Sequence, residues 1–313
     1  MENIKIENQE ENINVKNLFI DAGGIYGYTI CGVLQILKNY NLLSNLENIL
    51  SCSVGSILGL YLCLGFTVEE ITYLAFNIDI SKFVNFEKNN ILNIYRNFGF
   101  EKGTVFEKVI QTIIKNKTGN PNSTFMDLYQ KFQKNLIVIG GNVSQRKHQL
   151  FSYTHSPEME VWKAIRISCS FPLVFEPFQY KNNYYVDGGN SHYNPSYFKN
   201  QEETIGIILE KSNNPNTEIN SFEDFIINMI YLPLKSQKFK NYNPLNCVEI
   251  NTHKIKKHSL DVNVNYQTKK ELYYLGLEEM RLEIKNLISN LQNIKKNKLR
   301  QKITRDVSTQ TDI

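Results

Sequence analysis

The segment from Ile49 to Leu62 constrains this chain more than any other. Two apolar residues, Ile49 and Leu50, lead into Ser51-Cys52-Ser53-Val54-Gly55, and Ile57, Leu58, Leu60, Tyr61 and Leu62 follow. The first run reads as a buried strand and the second as a helix. A strand turning sharply into a helix around a small-Xaa-Ser-Xaa-Gly core is the local pattern of a nucleophile elbow. The turn lifts the Ser53 hydroxyl clear of the backbone, at the N-terminus of the helix. Unpaired N–H groups and the helix dipole there favour developing negative charge. The competing reading is a buried serine in a common tight turn, so the elbow needs support from elsewhere in the chain.

Two other segments have the same strand-then-glycine form. Asn17 to Asp21 reads as a short buried strand and runs into Ala22-Gly23-Gly24-Ile25-Tyr26-Gly27. Backbone N–H groups of such a turn, leading into a helix, can cradle an oxyanion or a phosphate. A dinucleotide site is the rival, but it needs a first glycine at position 22 and an acid after the second strand, and this chain has neither. The third segment is Asp187-Gly188-Gly189 after Tyr184-Tyr185-Val186. It places a carboxylate at a strand end beside two residues without side chains, although Asp-Gly is also a frequent turn pair. A Ser–Asp dyad is workable if the carboxylate takes the serine proton directly. Among the histidines only His192 lies near this motif, and an ordinary loop role suits it better than a Ser–His pair.

The rest of the chain supplies a frame. Ile30, Val33, Leu34 and Leu37 form one helix face; Leu136 to Gly140 and Thr204 to Leu209 read as buried strands. Ser156-Pro157-Glu158 has the features of a helix start, and that helix should end before Pro172. Asn220 to Leu232 reads as an amphipathic helix broken by Pro233. Thr268 to Glu271 reads as a capping box opening a long helix that carries Leu272, Leu275, Met280, Ile284, Leu287, Ile288 and Leu291. Strands alternating with helices imply a mainly parallel α/β sheet. We expect a polar leader at 1–14, one domain at 15–292, and a basic, disordered tail at 293–313.

Composition excludes several classes. Hydrophobic content of 42% and charged content of 21% over 313 residues fit a globular protein of ordinary size. No apolar stretch reaches the length of a membrane span and the N-terminus is not a signal peptide, so a cytoplasmic location is expected. The five cysteines are scattered without a Cys-Xaa-Xaa-Cys pair, which argues against a disulfide framework or zinc site. The wealth of Asn, Lys and Ile reads as compositional bias rather than chemistry. From Lys295 onward six bases face two acids, which accounts for the whole net charge of +4. The globular part is neutral, and no nucleic-acid partner is expected.

Taken in order, the three segments resemble the patatin-like phospholipase family. Its motifs are a glycine-rich oxyanion loop, a Gly-Xaa-Ser-Xaa-Gly elbow and an Asp-Gly-Gly/Ala segment. The connecting stretches are similar as well: Cys31 to Leu34, Gly65 to Ile71, Ala164 to Pro172, and Asn194-Pro195. The resemblance covers about residues 17–200 and implies a three-layer fold with a mainly parallel central sheet flanked by helices. It also implies that Ser53 is the nucleophile, Asp187 the base, and the amides of Gly23, Gly24 and Ile25 the oxyanion hole. Gly27, Gly55, Gly188 and Gly189 complete the motifs. The implied reaction is hydrolysis of a phospholipid or other lipid ester through an acyl-enzyme, with no cofactor and no metal. Three positions depart from the pattern: Ala22 and Ser51 replace the first glycines, and Tyr26 replaces a basic residue. Tyr26 keeps open a second reading, a lipid-binding or adaptor protein on the same fold that acts through its tail.

The tail carries two expectations of its own. Its basic run would attract an anionic membrane surface. Ser308 to Asp312 resembles the Thr-Gln-Thr peptides that dynein light chains bind by strand addition, and Thr311-Asp312-Ile313 resembles a PDZ-type C-terminal ligand.

Overall fold

The uninterrupted apolar runs of the sequence form the centre of the molecule. Leu18-Phe19-Ile20, Ile49-Leu50 and Leu136 to Ile139 are buried throughout, as are Ile205 and Ile207 to Leu209. This is the pattern of parallel strands covered on both faces. A computed structural model describes residues 13–83, 91–189, 191–210, 244–255 and 264–310. The first half of the chain gives β1 (Asn17–Ile20), α1 (Gly27–Asn39), β2 (Asn48–Cys52), α2 (Val54–Cys63), α3 (Val68–Asn77), α4 (Ile91–Asn97), β3 (Gly99–Glu101), α5 (Thr104–Thr118) and α6 (Phe125–Phe132). Then come β4 (Asn135–Asn142), β5 (Lys147–Phe151), α7 (Val161–Ser168), β6 (Leu173–Phe175), β7 (Phe178–Tyr180), β8 (Asn183–Asp187), β9 (Thr204–Glu210), β10 (Cys247–Asn251) and α8 (Tyr266–Gln310). The expected leader lies almost wholly, and the helix at 220–232 wholly, outside the described residues.

Five strands in the order β10-β9-β1-β2-β4 are parallel. Beyond β4 the sheet turns antiparallel, with β5 and β8 both on β4 and β7 on β8. β3 and β6 form a small separate parallel pair. The protein is thus an α/β fold with a mainly parallel central sheet flanked by helices, as expected. The chain steps from β1 through β2 to β4, then returns to the other side of β1 as β9. Such a reversal opens a crevice at the carboxyl ends of the strands.

A polar ladder fixes the register at the opposite end. Asn17, Asn48, Asn135 and Thr204 are mutual register partners across β9, β1, β2 and β4. Asn48 donates to Asn17 Oδ1 at 2.9 Å, Asn135 to Asn48 Oδ1 at 3.1 Å, and Asn17 to Thr204 Oγ1 at 3.2 Å. A slip of one residue would bury these groups unpaired and turn every apolar side chain to the wrong face. At least three asparagines are therefore chemistry, not compositional bias.

Side chains alternate between the two faces with a period of two. Leu18, Ile20, Ile49 and Val138 join the large core under α1, α2, α7 and α8. Phe19, Leu50, Ile137 and Ile139 form a smaller core with Leu150 and Phe198.

Three local expectations need correction. The helix before Pro172 starts at Val161, not at Ser156. The carbonyls of Pro157 and Met159 instead accept from Met126 and Phe125 at 3.1 Å, closing the N-terminus of α6. α8 starts before Thr268: the cap is Asn265, whose Oδ1 accepts from the Thr268 N–H at 2.8 Å. α8 also runs through Gln310 where a disordered tail was expected, because no glycine follows Gly276 and no proline follows Pro244. Strand addition by Ser308 to Gln310 would require this end to unwind, and Thr311 to Ile313 lie outside the described residues.

α8 spans the length of the sheet. Lys269 lies 5.4 Å from the Tyr28 ring near the start of α1, at the carboxyl end of the sheet. Lys298 pairs with Glu202 and donates to Asn200 Oδ1 at 3.2 Å, beside the start of β9. The basic run therefore leaves the molecule at the amino end of the parallel strands.

Candidate functional site

The elbow is present, and its backbone is strained. Ser53 has φ 52° and ψ −129°, a conformation that costs a non-glycine residue about 1–3 kcal/mol. Its neighbours hold it there. The Ser53 N–H donates to Ser168 Oγ at 2.9 Å, and the Ser53 carbonyl accepts from the Ser56 hydroxyl at 2.6 Å. Ser53 stands at the N-cap position of α2, yet its side chain makes no capping bond. The usual structural use of a serine at that place is not taken up.

Sheet pairing brings Asp187 to the elbow. β5 occupies one edge of β4 from Val138 to Asn142, so β2 and β8 share the other. β2 leaves that edge at the pair Cys52–Ile139, and β8 occupies the next position with Gly140–Asp187. The end of the elbow strand and the end of the aspartate strand thus meet head to head. Cys52 Sγ lies 3.8 Å from Asp187 Oδ1, which also accepts from the Gly189 N–H at 2.6 Å. Ser53 and Asp187 are both half-buried.

The glycine loop closes over the same point. Gly24 takes φ 54° as the loop enters a single 3₁₀ turn, and Ile25 is buried beside it. A methyl on Gly27 would fall 2.5 Å from Val54 Cγ2, and one on Gly55 2.6 Å from the carbonyl of Asp21. The loop helix and the elbow helix therefore approach each other, and the end of β1, more closely than side chains allow. Gly23 packs on Leu209 of β9, Gly188 on the Ile139 carbonyl, and Gly189 on Ala22. All the motif residues read from the sequence gather at the carboxyl ends of β1, β2 and β4. His192 is engaged elsewhere: it stacks on Tyr193 at 4.5 Å and meets His148 at 5.9 Å.

A strap within Ala164 to Pro172, a stretch to which the sequence assigns no role, binds these parts together. Ser168 Oγ accepts from Ser53 N–H and donates to the Ile139 carbonyl at 2.7 Å, and the Ser170 carbonyl accepts from Asp187 N–H at 2.8 Å. Arg166, 2% exposed, anchors the strap: it bonds the Ser170 hydroxyl and the carbonyls of Lys102 and Glu176, and lies 3.3 Å from Glu107. The Cys169 thiol beside it is held well above the usual range, first by burial and then by the charge of Asp187. It stays protonated and offers no competing nucleophile.

Next to the elbow lies an apolar cavity of about 90 Å³, partly open to solvent. Gly24, Gly27 and Val54 border it at the motif end, and Tyr61, Phe83 and Phe106 are among the residues forming its body. Among the described residues, no charged side chain lines it. Among them too, no group of three or more His, Cys, Asp or Glu is arranged to hold a metal.

Residues 18–196 match the family model for patatin-like phospholipases, more than half of the chain. The chain belongs to the patatin-like phospholipase family. Lipid hydrolysis is the activity that membership indicates. A protein of Acanthamoeba polyphaga mimivirus described as uncharacterized is 28% identical over 293 residues, 88% of this chain and 96% of that one. A probable lipid hydrolase of Invertebrate iridescent virus 6 is 31% identical over 180 residues, 56% of this chain and 59% of the relative. The crystal structure of VipD from Legionella pneumophila shares the fold with a TM-score of 0.65 at 14% identity, covering 91% of this chain and 72% of VipD.

Two departures from the patatin-like pattern have structural explanations. Ser51 stands where the elbow's first glycine is usual, and the space it needs comes from the facing helix. A methyl on Gly59 would lie 2.9 Å from Ser51 Oγ. That hydroxyl is buried without a hydrogen-bond partner. Ser51→Ala should therefore leave the elbow intact and raise unfolding stability by about 1 kcal/mol, read by urea denaturation. Tyr26 replaces a cation but turns inward. Its hydroxyl donates to the Thr252 carbonyl at 3.3 Å, and burial pushes its phenol above the ordinary value. It ties the glycine loop to the segment after β10.

Proposed function

We propose that this protein hydrolyses fatty-acyl esters of phospholipids or related lipids, with Ser53 as nucleophile and Asp187 as base. The observation that supports the reading most is the uncharged cavity bordered by Gly24 and Val54, next in sequence to the strained serine, which would accept an apolar chain. Burying one such chain contributes about 0.8 kcal/mol per CH₂ and holds the ester at the elbow. Ser53 Oγ attacks the carbonyl carbon while its proton passes to Asp187. The carbonyl oxygen, now an oxyanion, faces the amides of Gly23, Gly24 and Ile25. Asp187 returns the proton to the departing alkoxide as the ester bond breaks, leaving Ser53 acylated. Water, deprotonated by Asp187, then releases the fatty acid.

An alkyl fluorophosphonate tests this directly. It should label Ser53, and a panel of phospholipid, lysophospholipid and triacylglycerol should reveal turnover that the label abolishes. Absence of labelling at Ser53 would favour the adaptor reading. No described helix is long and apolar enough to cross a membrane, so we propose that the enzyme meets its substrate from the aqueous side.

The strap gives a second test. Ser168 acts as a positioning residue, because its hydroxyl fixes the Ser53 amide against the end of β4. Ser168→Ala should lower kcat about tenfold or more with KM little changed, and Ser168→Thr should restore it. Equal losses in both variants, or a change confined to KM, would count against that role.

A further inference from the structure

The surface beside the site carries a group of exposed apolar side chains that nothing in the fold requires. Tyr95 is 88% exposed, Phe98 57%, Val143 52% and Tyr184 43%. Two hairpin tips and the end of α4 bring three of them together. The Val143 N–H donates to the Tyr184 carbonyl and the Tyr184 N–H to Ser144 Oγ, both at 2.9 Å. The Phe98 ring meets Tyr184 edge-on at 6.3 Å. Tyr95 lies three residues before Phe98, near the end of α4. Phe98 also sits at φ 64°, a left-handed backbone that is a true outlier for a bulky residue. The fold bears strain at this position and gains little burial from it.

The same tips are basic. Arg146, Lys147 and Lys181 are exposed, and no acid occurs at 143–147 or 181–184. The neighbouring acids are engaged: Glu176 accepts from Asn97 at 2.9 Å and Glu101 from the Gly103 N–H at 3.3 Å. Position relates the patch to the site. β4 and β8 both continue from the Gly140–Asp187 pair toward these tips, three residues or about 10 Å at the usual rise per residue. On the cavity side, Phe106 touches Phe175 of β6, which pairs with β3 directly after Phe98.

We infer that the surface of Tyr95, Phe98, Val143 and Tyr184, ringed by Arg146, Lys147 and Lys181, docks the protein on an anionic lipid bilayer with the cavity end facing the membrane. This rests on the lipid-hydrolase reading and names the surface that reading needs. Aromatic rings and cation stems suit the boundary between headgroups and acyl chains, and the three bases add attraction to anionic headgroups. A second copy is the poorer occupant, because a two-fold contact would set these cations against their own images. The basic run of α8 is the obvious alternative anchor. It projects from the opposite end of the sheet, and docking there would turn the site away from the lipid.

The test uses the full chain on phosphatidylcholine vesicles with and without one-fifth phosphatidylserine. Wild type should co-float with the anionic vesicles. Arg146→Gln, Lys147→Gln and Lys181→Gln combined should weaken that binding more than tenfold, and Phe98→Ser should weaken it on both compositions. Hydrolysis of a short-chain soluble ester should stay unchanged in these variants, which also shows that they fold. Glutamine at all six bases from Lys295 to Arg305 should leave vesicle binding within about twofold. Phe98→Trp, the least disruptive change, should show blue-shifted emission on anionic vesicles above the Trp162 background. Tip variants that bind like wild type, unshifted emission from the Phe98→Trp variant, or binding lost only with the 295–305 bases would each overturn the inference. A wild type that binds vesicles but cleaves no ester would instead sink the hydrolase reading and leave the docking surface standing.

Discussion

Ser53→Ala and Asp187→Asn should each lower ester turnover at least about 10³-fold while leaving the thermal unfolding midpoint within a few degrees of wild type. The size follows from the proposed roles: one change would remove the atom that attacks the ester, the other the group that takes its proton. Stability should hold because both changes leave the backbone bonds of the elbow turn in place. The Ser53 hydroxyl does not cap α2, and the bonds that hold the turn are made by the backbone of Ser53: its N–H donates to Ser168 Oγ and its carbonyl accepts from the Ser56 hydroxyl. An asparagine at 187 can still accept from the Gly189 N–H. A third variant sharpens the test. Ser53→Gly puts at φ 52° the residue that adopts it without strain, so it should abolish turnover and yet raise stability by about 1 kcal/mol. Strain held at a position where its release costs only activity marks that position as functional. Turnover within tenfold of wild type in either of the first two variants would end the dyad assignment.

The sequence was most legible where a residue's task depends on its immediate neighbours. The buried strands stood out because parallel strands covered on both faces must be apolar throughout. The elbow stood out because a strand, a small turn and a helix are contiguous. The face of α8 was readable from the spacing of Leu272 to Leu291, all seven positions being buried. Legibility failed where the partner is distant in the chain. Ser168 looks like any serine ending a helix; its use depends on Ser53, whose amide reaches it across 115 positions. Ser156-Pro157-Glu158 has the chemistry of a helix cap, but Pro157 and Met159 close a different helix, α6. Asn17, Asn48 and Asn135 acquire meaning only once their strands lie side by side. Tyr26 looked like a charge lost from the site, whereas its ring turns toward Thr252, distant in sequence.

Gly276→Ala should destabilise the protein by about 3 kcal/mol, opposite in sign to what helix propensity forecasts. A glycine inside a helix costs about 1 kcal/mol relative to alanine, so propensity alone points to a gain. The crossing of α1 and α8 points to the reverse. A methyl on Gly276 would fall 1.9 Å from the Thr29 carbonyl oxygen, and one on Gly32 2.2 Å from the Tyr273 carbonyl oxygen. Both obstacles are backbone, so no rotamer change relieves them and the helices must separate. The consequence extends to the site, because α1 begins at Gly27, which touches Val54 next to the elbow serine. Displacing α1 therefore displaces the glycine loop. The unfolding midpoint should fall by about 6 °C or more, and the fraction that remains folded should turn over ester more slowly than wild type. Gly276→Ser should behave similarly, since the clash comes from Cβ. A midpoint that rises in the alanine variant would mean the helices can part at little cost, and α1 would then not be what sets the loop in place.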